Sequence, residues 1–180
     1  MKNVLLGCVI AFSFNVAAVD TVAKVEPVAK TVMMTEFEYS HEYEIALKQV
    51  KHKDKGKAFD TMLQYAKYGE KVAQYMVANF YLSGVGTEAN AQEGLVWMGV
   101  AIEQHTPEWE QAFEKLTRNF NAEQMAYLNK LIDERKALYG ASAQHMSCDI
   151  GATVTGSNRR YHTCTKRIDT IKRVTVVKYE

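Results

Sequence analysis

Apolar residues recur at three- and four-residue intervals from Glu36 to about Tyr139, and at two-residue intervals beyond it. The first regime predicts a run of amphipathic helices. Phe37, His41 and Ile45, with Tyr43, Leu47 and Val50, give a helix beginning at Glu36 one apolar face. Asp54 is placed to cap a second helix from about Gly56 to Tyr68, with Ala58, Met62, Tyr65 and Ala66 inward. Gly69 ends it, and a third helix runs from about Lys71 to Leu82 with Val72, Tyr75, Met76, Asn79 and Phe80 near one face. Gly84-Val85-Gly86 then breaks the chain, because two glycines admit positive φ twice while Val85 turns inward. Asn90 caps a helix to about Gln104 that packs through Leu95, Trp97, Met98 and Ala101. Pro107 suits the first turn of the next, to about Arg118, with Trp109, Phe113 and Leu116 inward. Asn121 and Gln124 have capping-box spacing and open a helix to Tyr139 carrying Met125, Leu128, Leu131, Ile132 and Leu138; Gly140 stops it.

The second regime predicts strands. Ile150, Ala152 and Val154 alternate, Gly156-Ser157-Asn158 turns the chain, and Tyr161 to Thr165 returns, bringing Cys164 towards Cys148. Val174, Val176 and Tyr179 alternate again. The expected fold is therefore mainly α, with residues 36–140 as a helical array and 141–180 as a small antiparallel β segment.

The start of the chain reads differently. Lys2, the apolar stretch Val4 to Phe14 and the small residues Val16-Ala17-Ala18 have the form of an export signal, too short to span a bilayer, with cleavage after Ala18. Leu5-Leu6-Gly7-Cys8 has the look of a lipoprotein box, but most of the apolar stretch follows Cys8, which places it too early. Residues 19–35 mix small apolar residues with Lys and include Pro27, and read as a flexible leader. No later apolar run is long enough for a membrane span. The expected location is exported and periplasmic.

Loss of residues 1–18 leaves two cysteines, Cys148 and Cys164, which in an oxidising compartment are expected to form a disulfide. Closing a loop of this size contributes about 3 kcal/mol in the chain-entropy account. Charge changes the picture further. The 22 basic and 21 acidic residues nearly cancel, but from Cys148 onward seven basic residues face three acidic ones, a balance of +4. Residues 19–147 hold 14 basic and 18 acidic, a balance of −4. A basic tail either docks on the acidic body or meets an anionic surface, with Arg159, Arg160, Lys166 and Arg167 as the residues for the latter.

From Tyr81 to Gln104 the chain resembles a Sel1-like repeat, a relative of the tetratricopeptide repeat with a longer loop. The matching residues are Tyr81, Gly84, Gly86, Asn90, Trp97 and Ala101, with Ala66, Gly69, Ala73, Gln74 and Tyr75 upstream. Thr87, Gly94, Ile102 and His105 depart from the family pattern. One good repeat spans about Ala58 to Gln104, flanked by degraded half-repeats, so the resemblance covers about half of the chain after the signal. It implies a right-handed array of helical hairpins, Trp97 as a packing residue, and a protein or peptide partner. One helix pair cannot bury its own face, so the helices from Glu36 and Pro107 are expected to act as caps.

Catalysis has no comparable signal. No motif brings Ser, His and Asp together and the nucleophile-elbow spacing is absent. The expectation is a non-catalytic scaffold or interaction module without a cofactor, binding no nucleic acid. The alternative is a metal site from His145, Cys148, His162 and Cys164, a set that suits tetrahedral Zn²⁺ if the thiols are free.

Overall fold

The computed structural model describes residues 27–51, 55–151 and 161–179. The export signal, Asp54, the 156–158 turn, Arg159 and Arg160 lie outside these residues. In chain order the elements are β1 (Ala29–Thr35), α1 (Glu36–Lys51), α2 (Lys55–Lys67), α3 (Lys71–Ser83), α4 (Ala91–Ala101), a 3₁₀ turn (Ile102–Gln104), α5 (Pro107–Thr117), α6 (Ala122–Tyr139), β2 (Met146–Gly151), β3 (Tyr161–Lys166) and β4 (Arg173–Tyr179).

Neighbours in sequence pack as neighbours in space. α1 lies on α2, α2 on α3 and α3 on α4, while α4 also carries α5 and α6. α4 is the central helix, with every residue from Gly94 to Ala101 buried. Its start is fixed locally, because the Asn90 side chain accepts from the Glu93 N–H at 3.0 Å. The preceding turn follows the glycines: Gly84 and Gly86 both adopt positive φ, 65° and 74°. The Gly84 N–H closes the end of α3 on the Phe80 carbonyl. Pro107 opens α5, and the expected capping box opens α6, Asn121 and Gln124 each accepting the other's backbone N–H at 2.8 and 2.9 Å.

Three helical faces differ from the apolar stripes of the sequence. On α1, Phe37 is 72% exposed and Ile45 42%, and Phe37 stacks on His41 outside the core. The buried face is Tyr39 and Ala46, with Tyr43, Leu47 and Val50 beside them. Tyr39 wins because its ring fits edge-on against Tyr65 and its hydroxyl reaches Glu70 at 2.6 Å, which apolar spacing does not reveal. On α3, Ala73, Gln74, Val77 and Ala78 are buried and Val72 is exposed, a rotation that presents small residues to the close-packed α4. On α5, Leu116 is exposed, whereas Trp109 stacks flat on Tyr75 at 4.6 Å.

Of the leader expected across residues 19–35, residues 19–26 lie outside the described residues, and the part from Ala29 is not a flexible leader. Residues 29–35 form β1, antiparallel to β4, with Ala29 opposite Tyr179 and Thr35 opposite Arg173. Val32 and Met34 pack on the core together with Val174 and Val176 of β4. The β tail expected within 141–180 is correspondingly divided. β2 and β3 form one hairpin with Cys148 directly opposite Cys164, and β4 leaves it to pair with β1.

Candidate recognition groove

A groove of about 360 Å³ runs between α2 and the end of β4. Asp60, Leu63, Gln64, Lys67 and Tyr68 line it from α2, Tyr139 from the end of α6, and Val177, Lys178 and Tyr179 from β4. Alternate side chains of a strand point to opposite faces. A groove lined by three consecutive strand residues therefore runs along the strand's edge.

The hydrogen-bond alternation shows which edge. Glu36 N–H donates to the Lys172 carbonyl, so one step in two along β4 faces β1 and the others face away. Val177 is one that faces away. The Gln144 side chain takes both of its backbone groups, its amide donating to the Val177 carbonyl at 2.9 Å and its oxygen accepting the Val177 N–H at 3.2 Å. Gln144 thus stands where a neighbouring strand would stand. By the same alternation Tyr179, two residues on, turns its backbone groups away from β1, and it is also a lining residue of the groove.

The groove's floor is aromatic and tied to the core. Tyr139 meets Tyr179 edge-on at 5.7 Å and lies over Trp97 at 5.7 Å. Burial pushes the Tyr139 hydroxyl pKa up. Trp97, 1% exposed, also carries the Arg135 guanidinium 4.7 Å from its ring centre, and Arg135 is held by a two-pronged bond to Glu93 at 3.0 and 2.9 Å. On the other wall, Gln64 donates to the Tyr68 hydroxyl at 2.8 Å and the Lys178 ammonium lies 5.7 Å from the Tyr68 ring. The result is an aromatic slot with charged groups at its rim.

Behind the groove a buried polar seam joins the helices to the tail. Lys71, with no exposed side chain, bonds Glu103 at 2.7 Å, and Glu103 also accepts the Ala141 N–H. Gln74 donates to the carbonyls of Ala66 and Tyr139. Lys166 donates to the Gln144 carbonyl at 2.6 Å. Burial pushes Lys166 down to about 8, partly offset by Glu70. Burial also raises Glu70 and lowers Lys71.

The expected site residues are distributed unevenly. Cys148 and Cys164 are joined as a disulfide. Trp97 and Ala101 are core, and Tyr81 is half-buried with its ring edge-on to Phe59 at 5.4 Å. The metal set from His145, Cys148, His162 and Cys164 loses both thiolates to the disulfide. Among the described residues no three His, Cys, Asp or Glu side chains gather as a metal-ligand group. Lys166 is not a surface cation, since it turns inward to Gln144; Arg167 is exposed. The groove tyrosines and Gln144 were not singled out by sequence, because half-buried Tyr is ordinary packing in a helical array and nothing local marks a Gln as a strand substitute. The chain matches no protein-family model and no curated protein. Among the described residues no helix is long and apolar enough to cross a membrane.

Proposed function

We propose that the chain is an exported, non-catalytic interaction module of the Sel1-like type, which takes an extended segment of another protein into the groove between α2 and β4. The observation that carries this is the strand edge of β4 at Tyr179 beside a slot lined by Tyr68, Tyr139 and Tyr179. An extended peptide adds main-chain hydrogen bonds to such an edge and side chains to the slot beside it. The positive φ at Gly84 and Gly86 and the burial of Trp97 support the repeat reading. The disulfide supports an oxidising compartment.

A photoreactive residue placed at Gln64, on the groove's wall, tests the reading in the cell envelope. A discrete protein adduct from position 64, absent from the exposed control position Tyr127 on α6, is the expected result. No adduct, or equal adducts from both positions, removes the groove as the binding site. Export is tested separately by N-terminal sequencing of the secreted protein, which should begin at Val19.

A further inference from the structure

The geometry points to a divalent transition-metal site made by His105 and His162, with Glu110 orienting His105, at the seam between the helical body and the disulfide-closed hairpin. The two histidines are 57 positions apart in sequence, yet their ring centres lie 5.5 Å apart with the planes inclined at 64°. An imidazole nitrogen binds Zn²⁺ at about 2.0–2.1 Å, so each ring centre sits roughly 3.2 Å from the ion, and a tetrahedral angle then separates two ring centres by about 5.2 Å. The observed spacing is within a few tenths of an ångström of that value.

The second observation is the orientation of His105. Its Nδ1 lies 3.1 Å from Glu110 Oε1, in the first turn of α5. A carboxylate accepting from Nδ1–H fixes the tautomer and leaves Nε2 as the lone-pair donor. His105 itself is held by its backbone, left-handed at φ 54° and closing the 3₁₀ turn through its N–H to the Ile102 carbonyl at 2.9 Å. His162 is held by strand register: it lies opposite Ile150, two residues from the Cys148–Cys164 bridge. The neighbouring Gln104 oxygen accepts the Cys164 N–H at 3.5 Å, which draws β3 onto the 3₁₀ turn. Two imidazoles suit Zn²⁺, Cu²⁺ or Ni²⁺, and both rings are solvent-facing, so water completes the coordination. This site shares His162 with the set excluded above but uses no thiolate, and it is independent of the groove.

Titration of the disulfide-bonded protein with Cu²⁺ or Zn²⁺, followed by calorimetry and by imidazole NMR, tests the assignment. One ion should bind per chain, and Cu²⁺ should selectively broaden the ring signals of His105 and His162. His105→Gln and His162→Gln should each weaken binding at least tenfold, and Glu110→Gln by about 10–100-fold. His145→Gln should leave binding unchanged. The metal-free variants should melt with the parent protein, since both rings are exposed. Broadening centred on His41 or His145, or affinity indifferent to His105→Gln, would overturn the proposal and leave the two rings as an edge-to-face contact.

Discussion

Trp97 shows what one side chain does here. Its indole joins the core to the groove by lying under Tyr139 and beneath Arg135. Its Nε1–H is buried, and among the described residues no acceptor reaches it. An unpaired buried donor costs about 1–3 kcal/mol. Trp97→Ala is therefore expected to cost about 3–5 kcal/mol, as for other large buried aromatics. Trp97→Phe keeps the stack, removes the unpaired donor and should cost less than half as much. Urea denaturation of the two variants checks this, and equal losses would show that the indole N–H contributes to stability. The sequence made Trp97 legible because its place after Gly84, Gly86 and Asn90 fixes its register. It did not reveal the role of Tyr139, whose partners Trp97 and Tyr179 are 42 and 40 positions away.

Between elements, two contacts show how the packing is specified. α4 meets α6 at Gly99, where an added methyl carbon would lie 2.3 Å from Ile132 Cδ1 and 2.6 Å from Cγ1. Gly99→Ala should thus destabilise by about 1–3 kcal/mol through overpacking. In an Ile132→Ala background the same change has room, and helix propensity should make it stabilising by up to about 1 kcal/mol. A double-mutant cycle by chemical denaturation reads this reversal of sign, and the same sign in both backgrounds would rule out the steric account. The second contact is Gln144 on β4. Gln144→Ala leaves the N–H and C=O of Val177 and the Leu138 carbonyl without their partner, and should cost at least about 3 kcal/mol. Hydrogen exchange at the Val177 amide should accelerate with it. An unchanged amide would mean that the strand edge is protected by something else. The end of α3, the start of α4 and the capping box of α6 were readable, because caps and glycine turns act within a few residues. β1 was not, because its partner β4 lies at the other end of the chain and local alternation of Val, Met and Lys is weak.

At the scale of the molecule, β4 and Lys166 of the basic tail are part of the body rather than an appendage to it. Val174 and Val176 are buried in the main core, and Lys166 is drawn into the polar seam. That burial has a pH signature. The Lys166 ammonium keeps its proton to about pH 8 when folded and to about 10.4 when unfolded, so between those values the unfolded chain binds more protons. Stability should therefore rise with pH from about 8. The buried tyrosines act in the opposite sense. Burial pushes Tyr65 to about 12 and Tyr39 and Tyr43 higher still, so above about pH 10 the unfolded chain loses protons first and stability falls. Denaturation midpoints measured from pH 7 to 11 should pass through a maximum in this alkaline range. Lys166→Met should flatten the rising limb and spare the falling one. Burial lowers Lys71 as well, so a rising limb left unchanged by Lys166→Met would assign it to Lys71 instead.

Among the described residues, the amino-acid order alone determined the helices and their approximate bounds, the glycine turn, the caps of α4 and α6 and the cysteine pair. Each depends on backbone chemistry within a few residues or on the sparsity of thiols. Tertiary structure alone decided which face of α1 and α3 is buried, that residues 29–35 are a strand, that Lys166 points inward, and that tyrosines from three elements share a groove. Those outcomes depend on pairings between positions tens to more than a hundred residues apart, where burial of a particular ring or the satisfaction of a buried polar group outweighs the local apolar period.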